Sequence, residues 1–189
     1  MSIEIIGIAG SLRRESLNRR LLEVAARALP PDVRLEIWDG LERVPPFSED
    51  HEAGPAPRGV EELRRVLARA DGVLIATPEY NGSIPGQLKN ALDWASRPRG
   101  SAVLEGKPVA TLSASPTPYG AAWAQADLRR VLKVIGADLC GDELALPHAF
   151  RQFDADGGLA DADLADRLAA SIAALAARWR AGLAIVESA

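Results

Sequence analysis

Three short stretches of this chain concentrate hydroxyl, amide, guanidinium and aromatic groups where apolar runs end: AGSLRRESLN (9–18), PEYNGS (78–83) and SASPTPYG (113–120). In the first, Gly10 permits a tight exit from a strand. Ser11 and Ser16 bring hydroxyls, Asn18 an amide, and the helix that follows adds unpaired N–H groups with positive dipole character. This donor set suits a phosphate monoester. Three or four charge-assisted hydrogen bonds of about 1.5–3 kcal/mol each, with burial of an attached ring, would reach sub-micromolar binding. Taken alone, serines after a strand are more often helix caps than ligand contacts. The stretch has neither the GxGxxG spacing of a dinucleotide fold nor the GxxxxGK(S/T) of a P-loop. In the second stretch Pro78 halts strand pairing, and Asn81 with Gly82 tolerates left-handed backbone, which turns successive N–H and C=O groups toward a ligand edge. Tyr80 offers a flat face with a polar tip; the plain alternative is a turn with an exposed tyrosine. The third stretch combines small hydroxyl residues, prolines and Tyr119, and alone it is a turn.

The elements that must position these loops form an alternating series. Strands are expected at 3–9, 33–39, 71–77, 107–115 and 137–146, with helices near 18–29, 59–70, 85–96, 121–135 and 161–182. Pro30 and Pro31 stop the first helix, Pro85 opens the third, and Gly182 ends the last. The spacing predicts an α/β fold of three layers: a five-stranded parallel sheet with helices on both faces. In such a sheet, ligands bind beyond the carboxyl ends of the strands, where all three stretches fall. The Pro-, Gly- and charge-rich segment 41–59 reads as a long loop of the kind that is commonly functional.

With 189 residues, 48% hydrophobic, the chain closes one core, so 1–189 is expected to be a single domain. Acidic and basic residues are interspersed and the formal charge is -4, which leaves no footprint for nucleic acid. One cysteine excludes an internal disulfide framework, and two histidines leave little material for a transition-metal site. No apolar run approaches the ~18 residues of a membrane span, and the N-terminus carries Glu4 but no basic leader, so a soluble cytoplasmic protein is expected. Cys140 reads as a small core residue, and His51 and His148 as surface or packing residues. Trp94 and Trp123 pack within the chain or at a subunit interface.

Together the three loops resemble the NADPH-dependent FMN reductase family of the flavodoxin-like superfamily, which includes quinone, chromate and azo-dye reductases. The matching residues are GSLRRESLN, PEYNGSIPGQLKNALDWASRP and, more loosely, SASPTPYGAAWAQADLRRVL, with VPPFSED similar to the family's second loop. The resemblance spans about residues 1–140 and is most specific in PEYN…PGxLKNAxDW. It implies the strand order 2-1-3-4-5, bound FMN, and NADPH or NADH as reductant. It places Ser11, Arg13, Ser16, Leu17 and Asn18 at the FMN phosphate, Pro78, Glu79, Tyr80 and Asn81 along the ring, and Ser113 and Ser115 near the ribityl chain or ring. Glu79 then acts through its backbone, with a structural side chain, and no catalytic side chain is required. A homodimer or homotetramer and a small-molecule electron acceptor are implied as partners; a flavodoxin-like electron carrier is the alternative. The chain departs from a glycine-rich GASPGG-like third loop in having SASPTPYG, a change that alters the shape of the acceptor pocket.

Overall fold

β1 (Ile3–Ala9), β3 (Gly72–Thr77) and β4 (Pro108–Ala114) are almost continuously apolar, and that composition fits strands covered on both faces; β3 and β4 are buried at every residue. β2 (Val33–Ile37) alternates buried and exposed residues and occupies the edge. In this computed structural model, which describes residues 2–52 and 54–187, all strand pairings are parallel and the order is β2-β1-β3-β4-β5.

The fifth expected strand is not continuous. Residues 137–146 form two short pieces, β5 (Asp138–Leu139) and β6 (Leu144–Leu146), both pairing with β4, so the sheet has six strands. The break falls at Gly141, whose φ of +71° takes the chain out of extended geometry. Cys140 sits beside it, half-buried, and burial pushes its thiol up to about 11, so it stays protonated at neutral pH.

Among the described residues, five α-helices cover the sheet: α1 (Leu17–Arg27), α2 (Arg58–Arg69), α3 (Gly86–Ala95), α4 (Ala122–Ile135) and α5 (Ala162–Glu187). One apolar core, with Leu63, Leu88, Trp94 and Leu128, packs α2, α3 and α4 on one face; the other, with Leu21, Leu22, Leu168 and Leu175, packs α1 and α5 on the opposite face. Pro85 lies just ahead of α3 as its cap residue rather than within its first turn. α5 runs past Gly182 to Glu187. Nothing lies within 4 Å of a Cβ at that glycine, and its cost of about 1 kcal/mol in a helix is not enough to stop this one.

The long loop after β2 is held by one stripe of α3. Gln87 Nε2 donates to Leu41 O and Val44 O (2.7 and 2.8 Å), Asn90 donates to Pro45 O (2.9 Å) and accepts from Phe47 N (2.7 Å), and Trp94 Nε1 donates to Pro45 O (2.9 Å). Spacings of three and four residues put these three side chains on one helix face. They pair the backbone of a segment that makes no ladder of its own. Phe47 meets Trp94 edge-on at 5.0 Å, and Arg97 closes the loop through Glu49 (2.7 Å) and Glu52 (3.2 Å). Replacing Asn90 by alanine should lower unfolding free energy by about 1–2 kcal/mol in urea denaturation, since it orphans the Phe47 N–H, while Pro45 O keeps its bond from Trp94.

Candidate active site

The sheet order places the carboxyl ends of β1, β3 and β4 side by side, and the three loops leave from them. The N–H of Gly10 still donates to Ala76 O (2.8 Å), so the first loop separates from β3 only after that residue. Ser16 caps α1, its Oγ accepting from Arg19 N (3.2 Å). That bond uses a lone pair and leaves the hydroxyl proton free to donate. Leu17 and Asn18 are the first helical residues, whose N–H groups have no intrahelical acceptor. Ser11, 8% exposed, accepts from Arg13 N and lies 3.3 Å from Tyr80 Oη, which links the first loop to the second. Arg13 and Arg14 are exposed and carry no ion pair among the described residues. A groove of ≈270 Å³ opens beside them, lined by Ser11, Leu12, Arg13, Arg14, Trp38 and Asp39 among others.

PEYNGS forms a tight turn closed by Tyr80 N→Ser83 O (2.9 Å) and Ser83 N→Tyr80 O (3.2 Å), with Asn81 and Gly82 at φ +54° and +76°. This is the two-residue turn that Asn-Gly favours. Pro78 and Glu79 are half-buried; Tyr80 and Asn81 are exposed. The Glu79 carboxylate turns away from the loop. It accepts from Ala124 N (3.2 Å), capping α4, whose own N-cap Ala121 has no side-chain acceptor. Ser83 Oγ adds a second tie to α4, donating to Asp127 Oδ2 (2.7 Å). That bond, with Arg130 behind it, holds the Asp127 carboxyl below the usual carboxylate range, so the tie persists at neutral pH and is lost only as pH falls through that lowered value. Glu79→Ala should cost about 1 kcal/mol of stability in thermal unfolding, while Glu79→Gln, which keeps an acceptor oxygen, should cost less.

Two expected contacts are placed differently. Asn18 is 2% exposed, and its amide is spent on β4: Nδ2 donates to Ala114 O (3.0 Å) and Oδ1 accepts from Ala114 N (2.9 Å). It extends the sheet by one side chain, and only its backbone N–H faces the helix end. Ser113 is fully buried, with Oγ 2.6 Å from Gly120 O and 2.8 Å from Gln125 Oε1. Strand alternation points it under α4, not to the loop surface. Ser115, one residue past β4, accepts from Thr117 N (3.2 Å) and lies 3.0 Å from Thr117 Oγ1 at the start of the third loop. Gln125, which donates to Thr111 O (2.9 Å), joins this buried network although no motif marks it.

The profile of the NADPH-dependent FMN reductase family matches residues 3–151, which takes in β1 through the end of β6. The chain belongs to that family. It is therefore an NAD(P)H-dependent oxidoreductase with FMN as its cofactor, of the FMN reductase and quinone reductase type. Among relatives, the FMN reductase is 39% identical over 164 residues (86% of this chain, 88% of the relative) to a 2-hydroxy-1,4-benzoquinone reductase of a Burkholderia species. It is 42% identical over 160 residues (84% and 85%) to an NAD(P)H-dependent FMN reductase of Pseudomonas aeruginosa. Among solved structures, the flavoenzyme NAD(P)H:(acceptor) oxidoreductase FerB from Paracoccus denitrificans superposes with a TM-score of 0.85 at 33% identity, covering 94% of this chain and 97% of FerB.

The reductase's residues fit FMN. A dianionic phosphate ester needs several donors; the α1 terminus and the loop before it offer two N–H groups, the free Ser16 hydroxyl proton and the unpaired Arg13 guanidinium. The ring would meet a turn whose Glu79 carboxylate is already engaged with α4.

Proposed function

We propose that this reductase carries hydride from NADPH or NADH through FMN to a quinone, with chromate, azo compounds and free flavin as further acceptors. For a quinone the balance is NAD(P)H plus a proton plus quinone to NAD(P)⁺ plus hydroquinone. FMN, when bound, supplies the two-electron chemistry. The chain's part is to hold and exclude: Ser11, Arg13, Ser16 and the N–H groups of Leu17 and Asn18 bind the phosphate, and Pro78, Glu79, Tyr80 and Asn81 line the ring through backbone groups. Ser115 lies toward the third loop. No side chain at this edge needs to act as acid or base. The observation that carries the reading is the joining of the loops: Tyr80 reaches Ser11, and Glu79 and Ser83 reach α4, so groups far apart in sequence share one edge.

Anaerobic addition of NADPH to the FMN-loaded protein tests this. Bleaching of the visible flavin bands, followed by their return on adding a quinone, is the expected result. A bound flavin that NADPH leaves coloured would make the chain a flavodoxin-like electron carrier instead. We further assign a homodimer or homotetramer, supported by the ≈530 Å³ groove between α3 and α4 and by Val134, 83% exposed at its edge. No helix among the described residues is long and apolar enough to cross a membrane, and the cytoplasm is the proposed location.

A further inference from the structure

Large aromatic side chains are seldom left in water side by side, because burying each would be favourable. Tyr119 and Trp123 are 61% and 56% exposed, yet their rings lie together with centroids 4.9 Å apart and planes tilted by 45°. They contribute little to either core. The turn that carries them is nevertheless rigid. Gly120 has φ +60° and no room for a side chain, since a Cβ there would stand 2.9 Å from the Leu146 carbonyl carbon; Ala121 holds φ +66°. Ser113 Oγ and Thr117 O fix the same turn from beneath, through Gly120 O and Gly120 N respectively. Positive φ at a residue with a Cβ is a strained choice, and the packing of Gly120 against the end of β6 maintains it here.

The pair is tied to the site. Trp123 precedes Ala124, whose N–H is bound by Glu79, and Glu79 precedes Tyr80, itself 45% exposed and linked to Ser11. We propose that Tyr119 and Trp123 form a stacking platform for planar aromatic acceptors, and so set the enzyme's preference for quinones over small inorganic oxidants. This rests on the oxidoreductase reading above. The electron-rich face of an indole or phenol ring attracts the electron-poor ring of a quinone, and two such faces held at an angle contact a flat molecule over both ring and edge. A compact anion such as ferricyanide gains nothing from this contact. A subunit contact along α4 is the competing occupant. Between Trp123 and Val134, the exposed face carries the ion pair Asp127–Arg130 (3.0 Å), which interrupts an apolar stripe.

The test compares kcat/KM for a naphthoquinone with that for ferricyanide in the FMN-loaded protein. Trp123→Ala should lower that ratio about three- to tenfold, chiefly through KM for the quinone, and Trp123→Phe should restore most of it. Tyr119→Ala is the second variant, expected to move the ratio in the same direction. An unmoved ratio in both alanine variants overturns the proposal while leaving the functional reading intact. A fall in sedimentation coefficient for Trp123→Ala, with equal losses for both acceptors, overturns it in favour of a subunit contact. Wild-type protein that reduces no quinone with NADPH removes both readings at once.

Discussion

Asn18→Ala will lower the unfolding free energy of the flavin-free protein by about 2–6 kcal/mol, read from urea denaturation. Both polar atoms of this buried amide pair with the backbone of Ala114, and alanine leaves that N–H and C=O unpaired where water does not reach, at about 1–3 kcal/mol each. A direct ligand contact would give a different pattern, with flavin-free stability kept and only FMN retention lost. Asn18→Asp should fall between the two. It keeps an acceptor for Ala114 N but sets a second acceptor against Ala114 O, and it places a negative charge near the proposed phosphate site.

Arg13→Ala should raise the Kd for FMN about tenfold or more, and leave flavin-free stability within about 0.5 kcal/mol of the parent. The side chain is exposed and unpaired, so the fold loses nothing when it goes. Ser16→Ala combines two effects, loss of the α1 cap at about 1 kcal/mol and loss of a donor to the phosphate. Its effect on FMN binding, measured by fluorescence quenching, should therefore exceed what the stability change alone produces. Binding of riboflavin, which has no phosphate, should respond to neither substitution by more than about twofold.

The parallel sheet was legible because β1, β3 and β4 are apolar runs in a chain that alternates strand- and helix-patterned segments, whereas the strand order came from the family resemblance and not from the pattern itself. The interruption of the last strand was not legible. ADLCGDELAL reads as one run, and only the left-handed backbone at Gly141 divides it. The site divides along the same line. Residues whose role depends on local turn chemistry, Ser16 as cap and Asn81 with Gly82 in the turn, sit where the sequence puts them. Asn18 and Ser113 do not, because the partner of each is set by tertiary register: Ala114 is 96 residues from Asn18, and Gln125 reaches Ser113 only once α4 has docked. The period of two along β4 could have flagged Ser113, which shares a strand face with Thr111 beneath α4. Likewise, the Gln87, Asn90 and Trp94 spacing reads as one helix face. Its hydrogen-bonding side chains serve the loop after β2, so the most specific part of the motif binds the protein to itself.

The capture of a phosphorylated flavin at the α1 terminus is best tested by titrating the flavin-free protein with FMN and with riboflavin, following flavin fluorescence. Donors arranged for a dianion predict that FMN binds at least about a hundredfold more tightly, with the gap narrowing as salt is raised. Equal affinities for the two flavins would contradict the account.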